Sequence, residues 1–147
     1  MRGWKVLAVL GLAISSILGC MSDGVEQGVI VKGSINQSGQ VLRPAGPPAP
    51  GASKVEVIFY PSDPNGVVEQ AIADPATGEF TLTGAGKGIK PGAYKVGVFV
   101  RGASFDSDDL QGKFNQQNTP ITVTIPEDKL GDTHDLGAID IDNPPKG

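Results

Sequence analysis

Turn-forming residues recur at short intervals between residues 74 and 100, and this spacing constrains the fold more than any other feature. Asp74, Pro75 and Gly78 predict a tight turn, because Asp bonds to backbone N–H groups ahead of it, Pro fixes φ and Gly accepts positive φ. Residues 79–83 then alternate polar and apolar side chains, which predicts a strand with one buried face.

The same alternation of turns and short strands extends over most of the chain. Residues 84–88 are rich in glycine and predict a loop, and Pro91 with Gly92 favours a further turn before a strand over 93–100. Further strands are predicted over residues 28–36, 54–60, 67–73, 121–125 and 134–141. Beyond the N-terminal segment, no stretch repeats apolar residues with the helical period over three turns, so we predict an all-β fold.

Two motifs resemble a known family. The patterns D-x-x-x-G-E-F-T-L at residues 74–82 and K-P-G-A-Y-K-V-x-V at residues 90–98 resemble the carboxypeptidase-regulatory-like, transthyretin-like domain of small bacterial envelope lipoproteins. The likeness covers residues 29–141. It implies a single Ig-like, transthyretin-like antiparallel β-sandwich of about seven strands over residues 28–142, and it implies no particular activity.

The N-terminal segment has the pattern of a lipoprotein signal. Arg2 and Lys5 precede an apolar run over residues 6–18, too short for a stable membrane span. Gly19 and Cys20 then close a sequence that resembles the lipobox, cut before the cysteine. We therefore predict a signal helix that is cleaved after residue 19. An uncleaved membrane anchor, or an ordinary signal with an incidental Cys, are the alternatives.

Lipidation of Cys20 would determine both the membrane location of the mature protein and its lack of a free thiol. Two or three acyl chains hold a protein at a membrane essentially permanently, at about 0.8 kcal/mol per buried CH₂. Because Cys20 is the only cysteine, no free thiol and no internal disulfide would remain. Residues 20–27 are predicted to be a tether and 143–147 a frayed tail. In enteric bacteria, an Asp directly after the lipidated cysteine retains a lipoprotein at the inner membrane. Here Met21 occupies that position, so by resemblance to this rule the outer membrane is favoured over the inner one.

The charge of the mature chain restricts its partners. Arg2 and Lys5 leave with the signal, so ten basic residues remain against 16 acidic ones, a net charge of −6. Nucleic acids and anionic lipid headgroups both require a basic face. We expect contact with the membrane through the lipid alone, and no nucleic-acid partner.

A polar excursion over residues 101–118 contains the best candidate for a ligand site. Asp106, Asp108 and Asp109 place three carboxylates in four positions, and calcium takes six to eight oxygen ligands. The order of an EF-hand loop is absent, so a solvated acidic loop is the competing interpretation. His134 is the only histidine and is predicted to be a surface residue, which leaves no zinc set. We expect no metal and no cofactor.

Catalysis is not expected. The purine hydrolases and intradiol dioxygenases that share a transthyretin-like or related topology depend on several histidines or on a C-terminal Tyr-Arg-Gly-Ser, and this chain has neither. There is also no Gly-x-Ser-x-Gly elbow for serine hydrolysis. The prediction is a non-enzyme.

Two functions of different class remain open. The first is a structural or protein-interaction module of the envelope, and the second is a carbohydrate-binding module. Sugar platforms normally need exposed aromatic rings, and the mature chain has no Trp and only Tyr60 and Tyr94, both predicted to be buried in strands. We therefore favour the interaction module. Loss of polysaccharide binding on changing Tyr60 or Phe114 would favour the other function.

Overall fold

The computed structural model describes residues 27–46, 53–102 and 107–145, and within these ranges the chain is built almost entirely from strands. In chain order they are β1 (Ile30–Gln37), β2 (Gln40–Val41), β3 (Lys54–Pro61), β4 (Glu69–Ala73), β5 (Glu79–Leu82), β6 (Gly92–Arg101), β7 (Thr122–Ile125) and β8 (Thr133–Asp140). The only helical segments described are single 3-10 turns at Gly84–Gly86 and Glu127–Lys129. The prediction of an all-β fold is confirmed.

Several predicted features lie outside the described residues. They are the signal segment 1–19, the lipidation residue Cys20, most of the tether, the prolines of residues 47–50 and Asp106.

Sheet II, as we name it, is a four-stranded antiparallel sheet in the order β4-β3-β6-β7. β3 lies in its interior, as expected for a strand with apolar residues on both faces. The register pairs Val57 with Ala71 of β4 and with Val98 of β6. β6 is the longest strand, and only its first half pairs with β7.

Sheet I consists of β1, β2, β5 and β8, with β1 at its centre. β5 and then β2 pair with one side of β1 in antiparallel fashion, whereas β8 pairs with the other side in parallel. This parallel pair departs from the antiparallel arrangement predicted for the whole body. The reason is the path after β7: a 3-10 turn brings the chain to the start of β1, where Ile30 donates its N–H to the Asp132 carbonyl at 3.0 Å. β8 therefore enters from the same end as β1.

A bulge in β8 decides which of its residues face the core. Lys32 pairs with Asp135 and Ser34 with Ala138, so β8 has one more residue than β1 between these pairs. Gly137 lies in the bulge at φ +69°, a conformation that glycine adopts at little cost. The alternation shifts there by one residue, so that either Ala138 or Ile139 could face the core on sequence pattern alone. Ile139 is buried and Ala138 is exposed.

A single apolar core lies between the sheets. Phe59 of β3 contacts Phe80 of β5 across the two sheets at 6.1 Å between ring centroids, and contacts Tyr94 of β6 at 5.9 Å. The predicted inward sets of β1, β3, β5 and β6 are all buried. Each large apolar side chain buried in this way contributes about 1.5–3 kcal/mol, so the core holds the two sheets together.

The predicted turn at Asp74 is present and carries the chain from sheet II to sheet I. The Asp74 carboxylate accepts the backbone N–H groups of Ala76 and Thr77 at 2.8 and 2.9 Å, and Gly78 lies at φ +73°. The N–H of Asp74 donates to the carbonyl of Glu79 at 2.7 Å. The bonds to the carboxylate favour its ionised form and lower the pKa of Asp74, with the bond from Thr77 the largest cause.

Candidate functional site

The candidate site is the face of sheet II that points away from the core, which we call the outer face. Alternation along each strand turns one residue in two to this side. The outer face is formed by Lys54, Glu56, Ile58 and Tyr60 of β3, Gln70 and Ile72 of β4, and Lys95, Gly97, Phe99 and Arg101 of β6. Charged residues lie beside apolar and aromatic ones on this surface, and within the described ranges no third sheet packs over it.

Two aromatic rings flank a glycine at the centre of the outer face. A Cβ atom placed on Gly97 would lie 2.8 Å from Cε2 of Tyr60 and 3.1 Å from the Phe114 carbonyl oxygen, so the Tyr60 ring occupies space that a side chain would need. Cε2 of Phe99, at 3.5 Å, is at ordinary van der Waals distance. Both rings are half-buried. Burial raises the pKa of the Tyr60 phenol, which therefore stays protonated and able to donate a hydrogen bond. The glycine thus lets the Tyr60 ring lie close to β6.

A buried carboxylate organises the charged end of the same face. Glu56 is only 7% exposed, and its side chain meets Lys54 Nζ at 2.7 Å and Arg101 Nε at 3.0 Å. Burial opposes ionisation of Glu56, but the hydrogen bonds and charges of Lys54 and Arg101 outweigh it and hold the pKa of Glu56 below its ordinary value. Removing either cation would leave a desolvated carboxylate with less compensation.

The charged end and the aromatic pair are physically connected. The guanidinium carbon of Arg101 lies 5.1 Å from the centroid of the Phe99 ring, within the range of a cation–π contact. Arg101 is therefore held by Glu56 and by Phe99 together. This arrangement offers a preformed surface with apolar rings and fixed charges, which suits recognition of a partner.

The opposite surface, on the outside of sheet I, carries a shallow groove of about 340 Å³. Its lining includes Lys32, Glu79, Asp135 and the bulge residue Gly137, and Lys32 lies opposite Asp135 in the register of β1 and β8. The Asp135 carboxylate accepts the N–H of Gly137 at 2.8 Å, so it stabilises the bulge. The groove is polar and open, and it contains no aromatic platform comparable with that of the outer face.

The predicted acidic loop is a structural element in the residues described. Asp108 Oδ1 accepts the N–H groups of Val100 and Leu110 at 3.0 and 3.1 Å, and Oδ2 accepts that of Gly112 at 2.9 Å. Asp109 Oδ2 accepts the N–H of Ala45 at 3.0 Å. The two carboxylates therefore fasten the loop to β6 and to the segment after β2.

The excursion that follows lies against the second half of β6 in place of a strand. Val98 donates its N–H to the Phe114 carbonyl at 3.1 Å, and Val96 donates to the Ile121 carbonyl at 2.9 Å. The Thr119 hydroxyl donates to the Val96 carbonyl at 2.6 Å. Phe114 is 2% exposed, so it belongs to the core. The suggestion that Phe114 contacts a sugar is incompatible with this burial.

The remaining candidates are separated from one another. His134 lies at the start of β8, opposite Val31 in the register. Tyr94 is buried, as predicted, and its hydroxyl donates to the Lys90 carbonyl at 2.7 Å. Across residues 27–46, 53–102 and 107–145, no three His, Cys, Asp or Glu residues form a group able to hold a metal ion.

The sequence did not identify Gly97, Phe99 and Arg101 as parts of one surface. Alternation along residues 93–100 predicts that Phe99 faces opposite to the core set, but it does not say whether another layer covers it. One sequence signal was available: Glu56 has a basic residue, Lys54, two positions earlier. The second basic residue, Arg101, lies on the neighbouring strand, so it can be added only when the strand register is known.

Comparisons with protein-family models, curated proteins and solved structures found no match for the chain. None of the helical segments in the described ranges has the length and apolar character needed to span a membrane.

Proposed function

We propose that this chain is a lipid-anchored module of the bacterial cell envelope that binds an envelope protein or polymer through the outer face and performs no catalysis. The observation that carries the proposal is the outer face, over which no third sheet lies within the described residues and which presents the half-buried Tyr60 ring together with Phe99 and the Arg101 guanidinium held beside it. Aromatic residues and Arg are enriched at protein interfaces, while isolated Lys and Glu are depleted there.

For the body we propose an Ig-like β-sandwich of the transthyretin-like, carboxypeptidase-regulatory-like type. Two sheets packed over one core, and the turn motif at Asp74, support it. The parallel pairing of β8 with β1 is the feature that distinguishes this body from a wholly antiparallel sandwich. In such scaffolds the sheet face and the end loops are free to vary for binding.

The proposed location at the cell envelope rests on the sequence of residues 1–21. Cleavage before Cys20 and acylation of Cys20 would leave the body tethered by residues 20–27, with the outer membrane favoured over the inner one. Metabolic labelling with palmitate, comparing wild type with Cys20→Ser, tests this. We expect label in wild type alone and an N-terminus at residue 20. Purified protein that retains residues 1–19 and shows no added mass from acyl chains would contradict the proposed location.

Binding through the outer face predicts a specific pattern of variants. Phe99→Ser removes one ring of the pair and the surface under Arg101, while Thr81→Ser changes an exposed residue of sheet I and serves as the matched control. In affinity capture from solubilised envelopes, we expect a defined partner band to be lost with Phe99→Ser and kept with Thr81→Ser. Equal capture by both variants would place binding elsewhere.

Carbohydrate binding is the second candidate, and the aromatic pair favours it. Tyr60 is half-exposed on the outer face, contrary to the prediction that it is buried, and Phe99 lies on the other side of Gly97. Rings presented in this way can stack on the C–H faces of sugars. Retention on polysaccharide columns that disappears with Tyr60→Ala and with Phe99→Ala would support this function, whereas retention unchanged in both would exclude it for this face.

A further inference from the structure

The outer edge of β4 is the second unusual surface of the body. β4 ends sheet II, and within the described ranges no strand pairs with its outer side. Three apolar residues in or just before this strand are largely exposed: Val67 by 66%, Val68 by 52% and Ile72 by 56%. An edge strand with free backbone groups and exposed apolar side chains is a template for pairing with another strand.

This edge lacks most of the features by which proteins prevent such pairing. Residues 67–73 contain no Lys, Pro or Gly, and β4 pairs with β3 without a bulge. The single charge of these residues, Glu69, points to the same side as the buried Ala71, and an inward charge of this kind is one protective feature that is present. Burial raises the pKa of Glu69, which favours its neutral form. On the side of the outer face, the edge strand presents Val68, Gln70 and Ile72, none of which is charged, and the Gln70 amide donates to the Glu56 carboxylate of β3 at 3.5 Å.

We propose that β4 pairs in antiparallel fashion with β4 of a second copy of this chain, with the two-fold axis passing through Gln70. In this register Val68 lies opposite Ile72 of the partner strand, twice by symmetry, and Gln70 lies opposite its own copy. Apolar and amide pairs of this kind stabilise neighbouring strands. A two-fold contact uses the same surface on both copies, and this edge is complementary to itself.

Other registers fit the edge less well. Opposite residues in a sheet must point to the same face, so the axis has to pass through a residue rather than between two. An axis through Glu69 would set two carboxylates opposite each other, which is destabilising. Axes through Ala71 or Ile72 leave Val68 without an apolar partner. Of these axes, only the one through Gln70 sets Val68 opposite Ile72, and it sets the third exposed apolar residue, Val67, opposite Ala73.

The pairing would join two copies of sheet II into one eight-stranded sheet with both outer faces on the same side. A contact made by one short strand buries little surface, so we expect a weak, reversible dimer, forming at about 0.1–1 mM protein. This inference does not rest on the proposed function, because it depends on the edge of sheet II and on neither the lipid nor a ligand of the outer face.

Disulfide trapping tests the register directly. Gln70→Cys is placed in the full chain together with Cys20→Ser, so that the introduced thiol is the only one. Directly opposite residues have Cβ atoms about 4.5–5.5 Å apart, close to disulfide geometry. Thr124→Cys in the same background is the control, because Thr124 is exposed on β7, at the opposite edge of sheet II. We expect mild oxidation to give at least tenfold more covalent dimer with Gln70→Cys.

Charge substitution at the same position provides an independent measurement. In a Gln70→Lys variant, the ammonium groups introduced on the two copies would lie opposite each other, and sedimentation equilibrium should show at least about fivefold weaker dimerisation. Mixing Gln70→Lys with Gln70→Glu should restore association, because the opposed charges then attract. The substitutions are at an exposed residue, and circular dichroism checks that the fold is kept.

Three outcomes would overturn the proposal. They are wild-type protein that stays monomeric up to about 1 mM, covalent dimer that is no more abundant with Gln70→Cys than with Thr124→Cys, and a mixture of the two charge variants that remains monomeric. Trapping of Gln70→Cys to a different protein in place of a second copy would likewise contradict it, and would indicate an extended peptide as the occupant of the edge.

Discussion

Asp108 should stabilise the body far more than a typical exposed carboxylate. Its two oxygens accept three backbone N–H groups, from Val100 at the end of β6 and from Leu110 and Gly112 in the loop. Asp108→Ala removes both acceptor oxygens and with them all three hydrogen bonds. Water can reach part of this half-buried site, so each lost bond costs about 1 kcal/mol and the variant should lose about 2–3 kcal/mol in free energy of unfolding.

The isosteric variant Asp108→Asn shows how much of the lost free energy of unfolding is due to each of the two carboxylate oxygens. In Asp108→Asn, the amide oxygen can still accept from Val100 and Leu110, as Oδ1 does now. The amide nitrogen would then face the N–H of Gly112, and two donors cannot bond to each other. We expect a loss of about 1–1.5 kcal/mol, between wild type and Asp108→Ala.

Urea unfolding followed by circular dichroism measures these differences, with Asp109→Ala as the matched control. Asp109 is exposed and accepts a single N–H, from Ala45, so its removal should cost about 1 kcal/mol or less. The m-value should stay constant across the series, since the surface exposed on unfolding is unchanged. If Asp108→Ala costs no more than Asp109→Ala, the three-bond clamp has no energetic role and the reasoning fails.

The same variants separate a structural role from calcium binding. A ligand that binds only the folded state raises the free energy of unfolding by RT ln(1 + [L]/Kd). We expect millimolar calcium chloride to leave the unfolding midpoint of wild type unchanged, because the oxygens of Asp108 are already used by backbone donors. A rise in wild type that is absent in Asp108→Ala would restore the metal-site hypothesis for the acidic loop.

Three further predictions concern the core, a close backbone contact and pH. Gly28→Ala should cost about 2–3 kcal/mol in stability, because its Cβ would overlap the backbone of Gly88; chemical denaturation measures this loss. Phe59→Ala should cost about 3–5 kcal/mol in the same assay, because its fully buried ring joins the two sheets. The pKa values of Asp74 and Asp140 are lowered below 3.8 by bonds from backbone N–H groups. Their contribution is therefore complete above that pH and lost as pH falls below it, so the melting temperature should decline below about pH 4 and less steeply with both residues changed to Asn.

Each of these predictions has a matched control. Gly97→Ala should cost less than Gly28→Ala, because its Cβ meets mainly a side chain, that of Tyr60. Phe99→Ala should cost less than Phe59→Ala because Phe99 is half-exposed. Gln116→Asn, a change of one exposed amide to another, introduces no titratable group and should leave the acid slope unchanged. Equal effects of a variant and its control would contradict the physical reason given for that pair.

Alternation of polar and apolar residues was sufficient to locate every described strand except the two-residue β2, and the faces that β1, β3, β5 and β6 bury. Residues 54–60 indicated β3 and its interior position in the sheet because apolar residues occur on both of its faces. Turn chemistry at Asp74 was equally local, since all its bonds lie within a few residues. The period of the polar and apolar alternation and the type of a turn both depend on residues close together in sequence. Both can therefore be predicted without knowing the fold.

The sequence could not predict in the same way which strands pair with each other, or which side chains other segments of the chain cover. The direction of β8 depends on where the chain crosses after β7, and the bulge at Gly137 shifts its alternation by one residue. The role of Asp108 depends on the N–H of Val100, eight residues earlier, which becomes a partner only once the loop folds against β6. Phe114 and Phe99 illustrate the same limit, since spacing alone did not distinguish the buried ring from the half-exposed one.

Six of the 13 Asp and Glu residues in the described ranges accept backbone N–H groups, and this changes what the acidic charge implies about function. Asp74, Asp108 and Asp140 each accept two or more of them, and Asp140 in this way joins the end of β8 to the turn after β1. Groups committed to such bonds have few oxygen lone pairs left for a metal ion. On the outer face, Lys54 and Arg101 are instead paired with the Glu56 side chain, and Arg101 also contacts the Phe99 ring, so charge and ring form one surface. Recognition is therefore expected on the outer face, where Arg101 and Phe99 lie, rather than in the loops where most acidic residues occur.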